Sequence, residues 1–582
     1  MRKSSSNYAA LAFLLGLIML YGAAVPSGQP AASYIVQAEG TSEARAEVEA
    51  AGGQVARELP IIDAVVAELT QDQLERLRTG PGEIRISANH EVAVAGRKPK
   101  EPKPTPGGDD DDTEFIPDTV VPRLVGASEL WSEGFTGDGV TVAVLDTLIK
   151  FQTAGLQEDT ALSDRVLGYH DSMSGMTCNF TKRRPGCDYE KILGDEYGHG
   201  THVTGIAINS RVTEFGHYAG IAPDADLVVV RALGDDGSGT YADVIKGIDW
   251  VVANKERFGI RILNLSLSAP AQSHYWDDPL NQAVMAAWRA GIVIVASAGN
   301  TGPDPMTVGV PGNVPYVITV GAMSDAVTPE APTDDFLTSF SAAGPTVEGF
   351  VKPELIAPGG HVISTMQAGT YLAIAHEEYR VGNKYFQMSG TSQAAGVVTG
   401  VAALLLQAEP WLTPDDVKCR LMASARPAVG LDGLLAYSVF QQGAGMVDAY
   451  RAVHSDASGC ANQGLDVDLD VEGDVHFGGR ADRDKTGAYF LRGIEGDGLA
   501  WSNGLAWSNG LAWSDAFVWS NGLAWSNAFF RSDGFAWSNA NGAALAWSDA
   551  FAWSNAFAWS NGFAPSDLYG VTMSSNVWVE QE

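Results

Sequence analysis

Two short apolar runs constrain the fold more than anything else in this chain. Val140-Thr-Val-Ala-Val-Leu145 follows Gly137-Asp-Gly139 and ends at Asp146. Gly291-Ile-Val-Ile-Val-Ala-Ser-Ala298 repeats the pattern and leads to Asn300. A strand with one wet face alternates polar with apolar residues. A run without that alternation reads as a strand buried on both faces, as in a parallel sheet. The expected architecture is therefore α/β, a parallel sheet sandwiched by helices. In open sheets of this kind the chemistry sits at the carboxyl ends of the strands, where Asp146 and Asn300 stand.

Two further motifs supply reactive groups. His199 opens His199-Gly-Thr-His202-Val-Thr-Gly205-Ile-Ala-Ile208, whose small residues let a helix start abruptly and pack close to a sheet. Ser392, in Gly390-Thr-Ser392-Gln-Ala-Ala, opens an apolar helix running from Ala394 through Ala408. The amino end of a helix carries partial positive charge and unpaired N–H groups.

A serine hydroxyl is a weak nucleophile at neutral pH and needs a base, with a third group to fix that base's tautomer. Imidazole suits the middle role, and a buried carboxylate stabilises the imidazolium that forms. Asp146, His199 and Ser392 thus make a candidate acid–base–nucleophile set. The Ser392 N–H and the Asn300 side-chain amide are candidate donors to an oxyanion, each worth on the order of 3–4 kcal/mol. The chemistry indicated is hydrolysis through an acyl-serine. His202 would make a metal pair with His199 only with a third ligand at zinc-like spacing, and none accompanies it. It is expected to pack on the far side of its helix.

These residues resemble the subtilisin-like serine proteases, the subtilase family, over roughly 121–455. Asp146, His199 and Ser392 match the family's triad, and Asn300 its oxyanion asparagine. Gly220-Ile-Ala-Pro223 and the stretch from Phe340-Ser341 to Ala357-Pro358-Gly359 match family landmarks. Leu265-Ser266-Leu267-Ser268 resembles the segment that binds substrate and lines the S1 pocket. The resemblance implies protein or peptide substrates held as an added strand. It also implies structural calcium, with its ligands unassigned. The chain departs from the family at four points. Leu148 stands where glycine is usual after Asp146-Thr147, and Ser268 replaces a common glycine, which narrows the adjoining subsite. Gln393 replaces a frequent methionine, and Gly396 a usual proline. The loop Asn209–His217 does not match the family's best-known calcium loop.

The 582 residues predict several domains. A formal net charge of −33 argues against nucleic acid as a partner and for solubility outside the cell. Arg2 and Lys3 precede an apolar run from Ala9 to Ala24, a secretory signal within 1–32 with cleavage after Ala24 or Ala32. The expected location is secreted, extracellular or cell-surface. Four cysteines fit an oxidising compartment and allow three pairings. Cys178–Cys187 and Cys419–Cys460 are the expected pairs.

Residues 33–95 read as a small α+β unit, with strands at Tyr34–Val36 and Ala64–Ala67 and helices at Thr41–Ala51 and Thr70–Arg78. This unit resembles the inhibitor-like propeptide of the same family, which makes the chain's own propeptide an expected inhibitor. Residues 96–120, rich in Pro and Lys and carrying Asp109–Asp112, read as a stiff exposed linker. Residues 456–498 read as a β-rich connector, with Asp466–Phe477 as a β bridge. From 499 to 564 the chain repeats Trp-Ser-Asn/Asp-Gly/Ala-Leu/Phe-Ala, with tryptophans at 501, 507, 513, 519 and 525 in a six-residue step. Leu or Phe two residues before Trp shares its face in an extended segment, and Ser-Asn-Gly supplies a turn. The repeat predicts a β-rich stacked tail, with cell-surface or glycan contact as the alternative use of its aromatics. Residues 565–582 close the chain. The rival reading of the whole is an adhesin or carbohydrate-binding repeat protein with an inactive protease-like domain.

Overall fold

The computed structural model describes residues 31–89, 116–150, 153–181, 194–326, 328, 334–430, 435–473, 475–492 and 579. All but the last two residues of the expected signal, and the Trp-rich repeats, lie outside the described residues. So do Cys187, all but the last five residues of the expected linker, and nearly all of the C-terminal end. Two compact units result, one formed by Met1–Glu58 and Asp63–Ala88, the other by Leu59–Ile62 and Asn89–Glu582.

In the first unit, β1 (Ala32–Gln37), α1 (Thr41–Ala50), β2 (Gln54–Leu59), β3 (Ala64–Leu69), α2 (Gln71–Arg78) and β4 (Arg85–Ala88) follow in order. The sheet order is β2-β3-β1-β4, with β1 antiparallel to both neighbours. Val36, Val48, Val65, Leu69, Leu74 and Leu77 form its core. The helix expected from Thr70 begins one residue later, because Thr70 is the cap: its hydroxyl accepts from Gln73 N, and the Gln73 side chain accepts from Thr70 N. Strands β2 and β4 escaped the sequence reading. Only Leu59 of β2 is buried, and β4 has no fully buried residue, so neither carries a strong apolar signal.

The second unit is built on a sheet of nine strands among the described residues. Its order is β12-β11-β10-β9-β5-β8-β6-β7, with β13 beside β11. These are β5 (Thr141–Asp146), β6 (Val166–Asp171), β7 (Thr177–Asn179), β8 (Asp226–Arg231), β9 (Ile260–Leu265), β10 (Val293–Ser297), β11 (Ile318–Ser324), β12 (Phe336–Leu337) and β13 (Leu355–Pro358). All pairs are parallel except the edge pairs β6–β7 and β11–β12. Every residue of β5, β10 and β11 is buried, as unbroken apolar runs require. Each buried Val or Leu contributes roughly 1.5–3 kcal/mol.

Helices α3 (His199–Ile208), α4 (Tyr241–Phe258), α5 (Pro279–Arg289) and α6 (Thr391–Ala408) complete the layers. Helices α3 and α6 cross closely because glycines line the contact. A Cβ on Gly396 would come within 3.1 Å of Val203 O, and one on Gly400 within 2.8 Å of Ala207 O. The glycine at 396, where the family has proline, thus serves helix packing. From β5 the chain builds β6 and β8 on one side, then β9, β10 and β11 on the other. The strand order therefore reverses between β5 and β9, and the crevice at their carboxyl ends is where such sheets bind ligands.

The boundaries expected on either side of this unit shift. Residues 116–120, read as exposed linker, pack into the unit. Ile116 is buried with Ala219 and Tyr385, and the Thr119 hydroxyl donates to Ala219 O at 3.1 Å. Residues 467–472, read as part of a β bridge, form a helix instead. The alternation of Val467, Leu469 and Val471 is outweighed by Asp466, whose side chain caps the N–H groups of Asp468 and Leu469, and by left-handed Gly473 at the other end. A short hairpin follows, pairing Ala481–Arg483 with Tyr489–Leu491. Asp470 ties this segment to the rest of the unit by accepting from Tyr316 Oη (3.0 Å) and Tyr275 Oη (2.5 Å), and within the segment it meets His476 Nδ1 (2.8 Å). The Cys419–Cys460 disulfide is formed as expected, with Cα atoms 5.2 Å apart. Cys178 is disulfide-bonded.

Candidate active site

Asp146, the last residue of β5, faces His199, the first residue of α3. Its two carboxylate oxygens lie 2.8 and 2.9 Å from Nδ1 of the ring. Both side chains are almost fully buried. The other ring nitrogen, Nε2, is also buried and has no hydrogen-bond partner. The pair therefore sets the tautomer, with the proton on Nδ1 and a lone pair on Nε2.

Ser392 is the second residue of α6 and lies wholly out of solvent. Its hydroxyl donates to Ser266 O at 3.1 Å. The Ser392–His199 hydrogen bond is thus not made here, a slack common in catalytic groups without substrate. Behind the nucleophile, Ser266 Oγ is within reach of Asn264 Oδ1 (2.9 Å) and Ser392 O (3.1 Å), and Asn264 Nδ2 donates to Thr399 Oγ1 (2.8 Å).

Asn300 stands three residues beyond β10. Its Oδ1 accepts from Thr391 N (3.0 Å) and Thr391 Oγ1 (2.9 Å), at the start of α6. These two donors fix which way the amide points, so Nδ2 is turned to the other side. The space over Gly390 is bounded there by Asn300 Nδ2 and by Gln393 Oε1. Gln393 is buried and its Nε2 has no partner.

The expected substrate-binding segment divides. Leu265 ends β9, and Leu265, Ser266 and Leu267 are fully buried. The two leucines belong to the core and Ser266 supports the nucleophile, so only backbone and the partly exposed Ser268 remain to face a ligand. Ser268 Oγ fills the gap between two glycines: a Cβ on Gly299 or Gly309 would meet it. His202 packs away from the Asp146–His199 pair. It is fully buried, its Nε2 lies 3.0 Å from Phe386 O, and burial pushes its pKa down to about 3.

Two features, Asp195 and Arg165, are not read from the sequence, and the backbone conformation of Leu148 is a third that its place in the motif does not reveal. Asp195, four residues before His199, is a buried carboxylate at the start of α3, and burial raises its pKa above the ordinary aspartate value. Leu148 has φ 153°, a backbone conformation better suited to the glycine usual at this position. Arg165 is buried with its guanidinium among main-chain carbonyls: Ala225 at 2.9 Å, Ile208 and Pro223 at 2.5 Å and Gly155 at 3.3 Å. Asp159, Asp224 and Asp226 lie nearby, and burial lowers its pKa to about 10. Ile208 ends α3, so the carbonyls at the head of the Asn209–His217 loop are already served by a side-chain cation. Among the described residues, no group of three or more His, Cys, Asp or Glu is gathered as a metal would need.

An acid, an imidazole and a hydroxyl converging on the crevice of a mostly parallel sheet define the class, a nucleophilic serine hydrolase. The subtilase family model matches residues 137–449, and the chain belongs to that family. It is 41% identical over 288 residues to serine protease AprX of Bacillus subtilis, an alignment covering 49% of this chain and 60% of that protein. With subtilisin DY of Bacillus licheniformis it shares 32% over 305 residues, covering 52% of this chain and 89% of the relative. The chain thus spans about 60% of AprX but most of the subtilisin. Among solved structures it matches fervidolysin of Fervidobacterium pennivorans, described as a keratinolytic enzyme related to subtilisin. The TM-score is 0.54 at 22% identity, over 74% of this chain and 62% of that one. This last likeness concerns the fold.

Proposed function

We propose that the chain is a secreted serine endopeptidase that cleaves peptide bonds through an acyl-serine. Substrate lies extended beside the backbone of Ser266–Ser268. His199 Nε2 takes the Ser392 proton as the hydroxyl attacks, and Asp146 holds the imidazolium. Asn300 and the Ser392 N–H receive the tetrahedral oxyanion. His199 then protonates the leaving amine, and water releases the acyl group. No step uses calcium.

The observation that carries this reading is the buried Asp146–His199 contact, which leaves Nε2 without a partner. In the same reading the N-terminal unit is the propeptide and inhibits the enzyme until it is removed, and the signal directs export. The Trp-rich repeats form a stacked tail. The decisive variant is Ser392→Ala. It should abolish cleavage of a peptide anilide and leave the N-terminal unit attached. Normal turnover by that variant would remove the assignment.

A further inference from the structure

We propose that Asp195 is a positioning residue of the catalytic centre, binding the acid and the base into one rigid frame. The proposal rests on the peptidase reading above, in which His199 is the base.

The Asp195 carboxylate is nearly inaccessible, at 2% exposure, and accepts four hydrogen bonds. Oδ1 takes the Thr147 hydroxyl (2.9 Å) and Gly198 N (2.9 Å). Oδ2 takes Thr201 N (2.8 Å) and the Thr201 hydroxyl (2.6 Å). Two of these donors are main-chain N–H groups that can only donate, and a carboxylate accepting this many bonds is satisfied as the anion. The amide groups lie at the start of the His199 helix, so the carboxylate fixes the entry of α3 and complements its dipole.

The network then closes on the catalytic acid. The Thr147 hydroxyl, while donating to Asp195, accepts from Gly200 N at 3.0 Å. The Thr147 N–H donates to Asp146 Oδ1 at 2.7 Å, and that carboxylate contacts His199 Nδ1. Asp195, Thr147, Asp146 and His199 are thus linked in series, and the circuit closes through the Gly198 N–H that Asp195 holds, one residue before His199. Backbone geometry fits the same frame. Gly198 has φ 101°, and a Cβ there would meet Thr370 and Met366. A Cβ on Gly200 would fall 2.1 Å from Leu148 O, so the first turn of α3 is pressed against the end of β5.

Asp195→Asn tests this, because it keeps the shape and removes the charge and half the acceptors. The enzyme is assayed as the mature full chain on a peptide anilide across pH, with Ser392→Ala beside it. Small misplacements of a catalytic group cost on the order of ten- to hundredfold. The expected result is a kcat loss of that size with KM within about twofold. The acid limb of kcat/KM should also move to lower pH, since one negative charge fewer makes the imidazolium less stable. A purely structural role would lower the melting temperature without moving that limb. If Asp195→Asn does not fold, Thr147→Val carries the kcat arm of the test, because it cuts the hydroxyl that links the two carboxylates while keeping both charges, so that kcat should fall with the acid limb unmoved; for that variant an unchanged kcat is the overturning result. A folded variant with unchanged kcat and an unmoved acid limb overturns the proposal. So does a loss expressed wholly in KM. An active Ser392→Ala control would instead sink the peptidase reading itself.

Discussion

Asn300 allows catalysis to be separated from structure, because its two side-chain atoms have different tasks. Oδ1 accepts two hydrogen bonds from Thr391 at the head of the nucleophile's helix. Nδ2 is the donor expected to meet the oxyanion. Asn300→Ala removes both functions. Leaving the Thr391 N–H unpaired costs about 1–3 kcal/mol of stability, and the missing oxyanion donor costs about 3–4 kcal/mol of transition-state stabilisation. Asn300→Asp is nearly isosteric and keeps both acceptor contacts. It also places a carboxylate at a helix amino end, which is favourable by about 0.3–1 kcal/mol. It cannot donate, and it sets negative charge against the developing oxyanion. The expected outcome is an aspartate variant as stable as the parent, with kcat lower by at least about 10² and KM within about threefold. The alanine variant should lose comparable kcat and some stability as well. Initial rates on a peptide anilide give the kinetics, and calorimetry in a Ser392→Ala background gives stability without self-digestion. An aspartate variant that keeps its kcat, or loses activity only through KM, refutes the oxyanion role.

Two other predictions concern buried cations. Lys352 and Lys418 are fully buried and share the single carboxylate of Glu354, at 2.7 and 2.8 Å, and burial lowers both amines, Lys352 to about 7. The unfolded chain binds more protons between about pH 7 and 10, so stability should rise with pH over that window by at most about 1.4 kcal/mol per unit per group. Lys352→Met leaves a one-to-one pair and should flatten the rise in melting temperature between pH 7 and 9; an unchanged slope contradicts this. Arg165→Met strands the carbonyls its guanidinium serves and should cost at least about 3 kcal/mol in urea unfolding. Arg165→Lys should recover only part of that, because one ammonium cannot span the same fork; a methionine variant as stable as the parent contradicts the role.

What the sequence revealed followed from local pattern. Unbroken apolar runs give β5 and β10, and each leads to a site residue. The small residues around His199 and Ser392 do pack α3 against α6. Contacts among scattered positions could not be read the same way. Arg165 finds its carbonyls at 155, 208, 223 and 225, which no spacing links. Asp195 left one trace, an aspartate just ahead of a helix start, the ordinary signature of an N-terminal cap. The helix at 467–472 was misread because three apolar residues alternate, while the capping aspartate before them carries the stronger instruction. Leu265 and Leu267 were read as substrate contacts although their type suits the core, where they lie.

The most direct test of the account is to treat the mature chain with a fluorophosphonate and map the adduct by mass spectrometry, in parallel with His199→Ala. The account predicts one phosphonyl group per chain, on Ser392, formed far more slowly in the histidine variant. Labelling at another residue, or labelling of Ser392 at equal rates with and without the imidazole, would contradict it.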